Sequence, residues 1–361
     1  MPGDIEVLKA KAKAHNAEVG LDFNEFVLTE SAADMEARML ADRYVLGRMA
    51  IMGQWTVFYG GPNVGKTLLM LWLLIEAIKQ CDIDPANVFY IDADDTAKGL
   101  LEKKKLAEEH GFNMLVPGRE KFKAPMLPMI LANRVRSGQA HGCIVILDTL
   151  KKFTDLMNKR TGSEFGEGAR EFVANGGTII TLAHVNKYKN ENGESIHAGT
   201  SDIVDDADCA YILDIVEDTP YLRTVKFRNI KDRGDVAHTA QYAYQAKDDT
   251  RPLTYVDLFN SVREISPREA KDAEQRSAVA DKLCLNNELI LAILDALRSG
   301  STLQGEIAKA VREGTGSGNR KILKVLKDHT GTDFLKGHRW TCDIGDRNSH
   351  KYAKLGGGGK E

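Results

Sequence analysis

A group of residues with the types and spacing needed to bind a chain of phosphates lies in the first fifth of the sequence. In order, these residues are Gly60, Gly61, Pro62, Asn63, Val64, Gly65, Lys66 and Thr67. Glycines let the backbone fold closely around an anion, so that successive N–H groups and the positive end of a following helix point at it. We expect Lys66 to reach the two outer phosphates and the Thr67 hydroxyl to bind Mg²⁺. The alternative is a glycine turn that only caps a core helix.

Carboxylates that could complete such a site follow two other apolar runs. Asp148 ends one run, where a carboxylate can bind Mg²⁺ directly or through water. Thr149 comes next, so no glutamate stands beside Asp148 to polarise an attacking water molecule. The second run ends in three acids, Asp92, Asp94 and Asp95. We select Asp94 for water activation and interpret the other two as caps of the loop.

Apolar runs of strand length alternate with helical patterns around these residues. Strands are predicted at 54–59, 87–92, 142–148, 177–184, 209–215 and 222–229, and helices at 66–80, 96–110, 124–137 and 164–175. Continuous β-branched runs between helices are typical of a mainly parallel sheet with both faces covered. We therefore predict an α/β fold whose ligand lies at the carboxyl ends of the strands.

Composition and charge limit the class of protein. Hydrophobic residues make up 43% and charged residues 28% of 361 residues, as in soluble globular proteins. The five cysteines are scattered without a C-x-x-C pair, which favours free thiols in a cytoplasmic protein over zinc binding. The longest apolar run, Leu68–Ile75, is too short to cross a bilayer, and the first residues do not resemble a secretion signal. No membrane partner is expected.

The ends of the chain differ from its middle. Residues 1–43 are interpreted as an arm of two polar helices, the second capped at Ser31. Residues 44–246 form the predicted sheet domain, and 247–285 a polar linker with a solvated helix. Residues 286–355 show three helical segments (288–297, 302–312 and 318–329) and two strand-like pieces (333–335 and 339–343), which is the layout of a winged helix-turn-helix. Residues 356–361, which begin with the run Gly356–Gly359, are predicted to be a flexible tail.

The C-terminal unit is basic and is a candidate for nucleic-acid binding. Residues 286–361 contain 13 Lys+Arg against 9 Asp+Glu, whereas the whole chain has a net charge of −3. Arg320, Lys321 and Lys324 fall on one side of the third helical segment, and the wing would add Lys336, His338 and Arg339. Winged helices also dock on proteins, so the partner is either duplex DNA or a protein.

Taken in order, these motifs resemble the RecA-like P-loop ATPase core. A phosphate loop, then Ile91-Asp-Ala-Asp94, then the apolar run ending in Asp148, then a strand ending in His184 is similar to the RepA-type hexameric helicases of plasmids and phages. The resemblance covers about residues 44–245. It implies ATP and Mg²⁺ as ligands and a catalytic acid at the position of Asp94, where those families usually have glutamate.

The resemblance also suggests roles for residues after the third predicted strand. His184 matches the family's sensor of the terminal phosphate, although a histidine at a strand end is often structural. The segment that follows resembles the family's DNA-contacting loop, and its lysines and amides suit a phosphate backbone. We assign Asn186, Lys187, Lys189 and Asn190 to single-stranded DNA. The segment with Lys151, Lys152, Lys159 and Arg160 is a second candidate, and solvated surface is the alternative for both.

A Lys-x-Arg pair near the end of the last predicted strand resembles the residues that RecA-like helicases insert into a neighbour's ATP site. Here the pair is Lys231 and Arg233, with Arg228 in reserve. A guanidinium acts this way only when subunits form a ring or filament. The alternative is an ordinary salt bridge to a nearby acid.

The sequence thus predicts a cytoplasmic Mg²⁺-ATP-dependent motor that forms a homo-oligomer, most simply a hexamer, and moves on single-stranded DNA as a replicative helicase. The main alternative is a non-motor protein whose DNA binding is gated by ATP, such as a helicase loader or replication regulator. A small-molecule P-loop kinase is a third class, but it needs neither the His-ended strand nor the Lys-x-Arg pair.

Overall fold

The computed structural model of the chain describes residues 24, 27–40, 43–154, 159–189, 195–197, 202–345 and 349–356. The chain divides into two units, Met1–Arg43 and Tyr44–Glu361. In the first unit, helix α1 (Ala32–Leu40) is capped by Ser31, whose hydroxyl accepts a hydrogen bond from the Asp34 N–H at 3.1 Å. The other helix predicted in this arm falls on residues ahead of it, of which 1–23 lie outside the described part.

The second unit is built on one large sheet. Its strands in the described residues are β1 (Trp55–Gly60), β2 (Val88–Asp92), β3 (Asn113–Leu115), β4 (Ile144–Asp148), β5 (Thr178–Lys189), β6 (Ser195–His197), β7 (Cys209–Asp218), β8 (Leu222–Lys231), β9 (Thr239–Gln245) and β10 (Arg263–Glu264). Their order is β10-β9-β8-β7-β1-β5-β4-β2-β3, with β6 paired to β5. The strands from β7 to β3 are parallel, whereas β8, β9 and β10 continue the sheet in antiparallel pairing.

Helices cover both faces of this sheet. They are α2 (Lys66–Lys79), α3 (Ala97–His110), α4 (Leu127–Arg136), α5 (Lys159–Ala174), α6 (Asp202–Asp206) and α7 (Tyr255–Ser261). Successive strand residues point to opposite faces: Ile144 and Ile146 belong to the core layer under α2 and α3, and Val145 and Leu147 belong to the layer under α4 and α5. This two-sided burial explains the continuous apolar runs and confirms the predicted α/β fold with a mainly parallel sheet. The arrangement is compatible with a RecA-like fold.

The predicted linker begins inside the sheet domain. Its first helix, α7, packs on the sheet with Phe259 and Val262 in the buried core, and β10 adds a short edge strand. Only the following helix, α8 (Pro267–Leu285), has the largely exposed surface that was expected, with Ala273 as its buried residue. The polar residues Lys247–Arg251 that suggested a linker are a short surface connection before α7.

Three helices and a hairpin form the C-terminal part. They are α9 (Asn287–Arg298), α10 (Gln304–Thr315), α11 (Asn319–Asp328), β11 (Trp340–Gly345) and β12 (Ser349–Lys354). Their separate core surrounds the fully buried Trp340, whose indole N–H donates to the Leu326 carbonyl at 2.9 Å.

The strand predicted at 333–335 is wrong. Phe334–Lys336 is a 3₁₀ turn, because the Asp333 carboxylate accepts the Leu335 N–H at 2.9 Å and so closes a turn instead of an extended segment. The hairpin is formed by β11 and β12, so Lys336, His338 and Arg339 lie before it and not at its tip. The Arg339 guanidinium stacks over the Phe334 ring at 3.9 Å.

Among the described residues, no helix is both long enough and apolar enough to cross a membrane.

Candidate functional site

A cavity of about 450 Å³ opens at the carboxyl ends of β1, β2, β4 and β5. It is lined by Pro62, Asn63, Val64, Gly65, Lys66, Thr67, Leu68, Asp92, Asp94, Asp95, Gly99, Lys103, Asp148, Thr149, His184 and Tyr255. Residues that the sequence analysis selected from four separate segments therefore share one cavity. Parallel strands end at the same edge of the sheet, and this edge is where such folds bind ligands.

The phosphate-type loop joins β1 directly to α2. Two residues in it have left-handed backbone, Asn63 at φ 58° and Gly65 at φ 90°. The Lys66 ammonium donates to the carbonyls of Gly60 at 2.7 Å and Gly61 at 2.8 Å. The cation therefore lies over the loop, where it could help to bind phosphates. Burial lowers the pKa of Lys66 to about 8, although the Asp148 carboxylate acts in the opposite direction.

The antiparallel half of the sheet supports this loop from outside. The Arg223 guanidinium is held by Asp218 and donates to the Asn63 carbonyl at 2.7 Å. Tyr244 lies so close to Gly65 that a Cβ atom there would come within 2.7 Å of its hydroxyl oxygen. Arg223 on β8 and Tyr244 on β9 were not among the predicted site residues.

Asp148 and Thr67 meet at the bottom of the cavity. The Thr67 hydroxyl donates to Asp148 Oδ2 at 2.7 Å, and the buried Tyr90 hydroxyl donates to the same oxygen at 2.7 Å. Backbone pairing places Asp92 beside Asp148, and the Asp148–Thr149 peptide bond is cis. A hydroxyl and a carboxylate are hard oxygen ligands of the kind that Mg²⁺ prefers.

The three acids after β2 have different surroundings. Asp92 and Asp95 both pair with the ammonium of Lys103, a residue of α3 whose side chain is 4% exposed. Asp94 is 41% exposed and pairs instead with Lys151 at 2.8 Å and Lys152 at 3.2 Å. Burial acts to raise the pKa of Asp94, but the hydrogen bonds and charges of the two lysines outweigh it and lower that pKa. The carboxylate of Asp94 is thus ionised and held at the mouth of the cavity.

Two buried polar atoms in the cavity lining have no hydrogen-bond partner. They are Nε2 of His184 and the hydroxyl oxygen of Tyr255. His184 is placed next to Gly60 by the pairing of β5 with β1. Burial, with the charges of Lys66 and Lys151, lowers the pKa of His184, so its ring is neutral near pH 7. Buried polar atoms without partners are rare, and here both line a cavity that a polar ligand could enter.

These features fit a nucleoside triphosphate bound with Mg²⁺. The loop and Lys66 offer donors for phosphate oxygens, and Thr67 and Asp148 offer adjoining oxygens for the ion. His184 and Tyr255 each retain an unused polar atom for a ligand.

The Lys-x-Arg pair lies at the opposite edge of the sheet. Because β8 is antiparallel to β7, its last residues return to the amino end of β1, where the Gln54 side chain donates to the Arg233 carbonyl at 3.2 Å. Lys231 already has hydrogen-bond partners in its own chain, because its ammonium donates to the Val204 carbonyl at 2.7 Å and to the Asp205 carbonyl. The Arg233 guanidinium is 52% exposed and makes two long contacts of 3.4 Å, one with the Asp208 carboxylate and one with the Asp205 carbonyl. It faces away from the cavity of its own chain. Arg228, the reserve, lies 3.7 Å from Asp214.

The segment assigned to single-stranded DNA is a strand and not a loop up to Lys189. Asn186, Lys187 and Lys189 belong to β5, which continues past the sheet and pairs with β6 as a two-stranded ribbon. Its polar residues lack the alternation of a half-buried strand, which is why the extension was not predicted. Asn190 lies outside the described residues. Of the second candidate segment, Lys151 and Lys152 are the lysines that hold Asp94.

The basic residues of α11 form an exposed surface. Arg320, Lys321 and Lys324 point away from the core made by Ile322, Val325 and Leu326. A shallow groove of about 330 Å³ between α10 and α11 adds Lys309 and Arg312.

In comparisons with known proteins, no family model matched the chain and no curated protein matched it.

Sequence reasoning missed Tyr90, Lys103 and Tyr255. Tyr90 lies inside an apolar strand, so the sequence indicates only that it belongs to the core. Lys103 stands in the run Lys103-Lys104-Lys105, which resembles a solvated helix face, yet it falls three and four residues before the buried Leu106 and Ala107. That helical spacing was the available signal. Tyr255 lies in the segment interpreted as a linker.

Proposed function

We propose that this protein is a Mg²⁺-dependent ATPase whose subunits assemble into a ring that moves on single-stranded DNA, in the manner of a replicative helicase. The proposal depends chiefly on one observation. Lys66, Thr67, Asp94, Asp148 and His184 come from four segments of the chain and line one cavity at the carboxyl edge of the sheet.

The chain's own groups would divide the work as follows. Lys66 and the loop N–H groups bind and orient the phosphates, and Thr67 and Asp148 hold Mg²⁺, which neutralises charge on the transferred phosphoryl group. Asp94 orients a water molecule and accepts its proton as the oxygen attacks the terminal phosphorus and the bond to the bridging oxygen breaks. His184, neutral and with Nε2 unpartnered, donates an Nε2–H hydrogen bond to an oxygen of the terminal phosphate.

The exposed Arg233 supports a shared site. It lies at the far edge of its own sheet, so it can stabilise a phosphoryl group only on a neighbouring subunit. The ribbon of β5 and β6 continues from His184, so a change at the terminal phosphate has a direct covalent route to Lys187 and Lys189. The three helices and hairpin at the C-terminus support a winged helix whose α11 surface binds DNA phosphates.

A specific observation favours a second candidate, an ATP-gated DNA-binding protein with slow turnover. The proposed water-activating acid is an aspartate, and its carboxylate is already paired with Lys151 and Lys152. An acid held in this way is a weak base for water.

The two candidates differ in turnover. The test measures phosphate release from Mg²⁺-ATP with and without oligo-dT, together with displacement of a labelled strand from a forked duplex, using Lys66→Ala as the inactive control. Strong stimulation by oligo-dT with strand displacement supports the motor. Tight duplex binding with little turnover would exclude the motor and favour the regulator. Transfer of phosphate to a metabolite would exclude both.

A further inference from the structure

Lys103 is the most deeply buried cation of the described residues that line the nucleotide cavity. Its side chain is 4% exposed, and that of its partner Asp92 is 1% exposed. The ammonium bridges Asp92 Oδ2 and Asp95 Oδ2, the latter at 2.9 Å. A buried ion pair is costly to form, and replacing it by apolar residues is often neutral for stability. Stability alone therefore does not explain the presence of the Lys103–Asp92 ion pair beside the proposed reaction site.

The geometry connects this ion pair to the proposed catalytic acid. Asp92 Oδ2 pairs with Lys103, and Asp92 Oδ1 accepts the backbone N–H of Asp94 at 3.3 Å. On the other side, Asp95 Oδ1 accepts the Thr96 N–H at 2.6 Å while its Oδ2 pairs with the same ammonium. One cation thus fixes the residues on both sides of Asp94.

Close packing leaves this segment little freedom. A Cβ atom on Gly99 would come within 2.2 Å of the Asp95 carboxylate, so α3 lies directly against the acids. The backbone N–H of Ala93 donates to the Asp148 carbonyl at 2.7 Å, which joins the segment to the proposed metal-binding strand. All three acids line the cavity, but Asp92 and Asp95 pair with Lys103, whereas Asp94 pairs with other lysines and is the most exposed of the three, at 41% against 1% and 26%.

We propose that Lys103 is a positioning residue that divides the roles of the three acids: it binds Asp92 and Asp95, and so sets the backbone that aims the Asp94 carboxylate at the terminal phosphate. This inference rests on the proposed ATPase function. Its effect should appear in turnover and not in nucleotide affinity, because the hydrogen-bond partners of Lys103 among the described residues are Asp92 and Asp95, and not the phosphate loop, Thr67 or Asp148. Small errors in the position of a catalytic group are sufficient to reduce the rate greatly.

The test compares Lys103→Met with Lys105→Met, which removes an exposed lysine from the same helix. Nucleotide Kd is measured with a fluorescent ATP analogue, and kcat from steady-state phosphate release. We expect Lys103→Met to lower kcat at least about ten-fold with Kd changed less than about two-fold, and Lys105→Met to change neither.

A second variant covers the case in which Lys103→Met leaves Asp92 as an unpaired buried charge and does not fold. Lys103→Met combined with Asp92→Asn removes both charges and keeps the shape of the pair. We expect it to bind nucleotide as the wild type does and still to lose kcat.

Wild-type turnover in the double variant would overturn the inference and leave the ion pair with a purely structural role. Absence of ATPase activity in the wild type would be a different result. It would refute the proposed function, and the inference would fall with it.

Discussion

Asp94 is the residue on which the rate of the proposed reaction depends most directly. Its carboxylate is shared between two partly exposed lysines, and exposed ion pairs of this kind contribute roughly 0.2–1 kcal/mol each. Such pairs hold a side chain without fixing it. A negatively charged nucleic-acid backbone would compete with Asp94 for the same two cations.

Removing both lysines should therefore release Asp94. We predict that Lys151→Met with Lys152→Met raises the ATPase rate in the absence of DNA by roughly two- to five-fold, the equivalent of about 0.4–1 kcal/mol of lost competition. The same variant should lose most of its stimulation by oligo-dT. Steady-state phosphate release with and without oligo-dT measures both effects, and Lys271→Met on the exposed face of α8 is the control. An unchanged basal rate would show that the lysines do not restrain Asp94.

His184 gives a second prediction, this time on stability. Its pKa is lowered in the folded chain, so the unfolded chain binds the proton more readily. Stability should be complete above the unfolded pKa, near 6.5, and should fall as the pH drops through the lower folded value. We predict that the urea midpoint of His184→Gln changes less between pH 7 and pH 5 than that of the wild type.

The exposed His141 provides the matched control. His141→Gln should keep the wild-type pH dependence. If the urea midpoint of His184→Gln changed between pH 7 and pH 5 as much as that of the wild type, burial would not disfavour protonation of His184.

At the scale of elements, the loop between β1 and α2 depends on one glycine more than on the others. Gly65 has both a left-handed backbone and a neighbour, Tyr244, where a side chain would have to go. Gly53 has a similar backbone, with φ 78°, but open space around it. The two positions separate backbone strain from steric exclusion.

We predict that Gly53→Ala costs about 1 kcal/mol of stability, the usual cost of left-handed backbone for a residue with a Cβ. Gly65→Ala should cost more and should also weaken ATP binding at least about ten-fold, because the loop must move away from Tyr244. Urea unfolding and nucleotide titration measure the two effects. Normal ATP affinity in Gly65→Ala would show that the loop tolerates the displacement.

The sequence predicted the elements that carry the loop and the pair Thr67 and Asp148, because a parallel sheet buried on both faces produces long apolar runs. Asp148 and Thr67 were selected because each is the last residue of such a run or motif, and the structure brings the two side chains together. Lys103 gave a weaker signal, its helical spacing to Leu106 and Ala107, because the adjoining Lys104 and Lys105 make the run resemble a solvated helix face. The assignment of 247–285 as a linker missed α7 because its apolar run, Tyr255–Phe259, is short and stands between two longer charged segments. The strand β9 was also missed, although Tyr242 and Tyr244 alternate along it as a half-buried strand requires.

For the whole molecule, the main question is whether a complete site needs two chains. Arg233 and the cavity lie at opposite edges of one sheet, so in the proposed ring a single chain would carry one half of each of two sites. This arrangement makes complementation possible.

We predict that Arg233→Ala and Lys66→Ala are each inactive alone and regain measurable ATPase activity when mixed, because some interfaces then combine an intact loop with an intact arginine. The loss in Arg233→Ala should be about 10³-fold or more, with ATP binding retained. Mixing each variant with itself is the control, and Arg268→Ala on α8 tests for a general effect of removing an exposed arginine. Activity of Arg233→Ala by itself would contradict a role in trans, as would a strict monomer in native mass spectrometry with an ATP analogue and oligo-dT.

The strand β8 has a consequence for how such sites would communicate. Its ten residues span roughly 30 Å, with Arg223 near one end donating to the loop between β1 and α2 and Arg233 just beyond the other end. Hydrogen bonding to β7 and β9 on both sides makes it stiff along its length. In a closed ring, each such strand would connect consecutive sites, with its own loop at one end and the neighbour's phosphate at the other. A displacement of the loop at one site would then move Arg233 at the next site. Nucleotides would then be consumed in sequence around the ring and not independently.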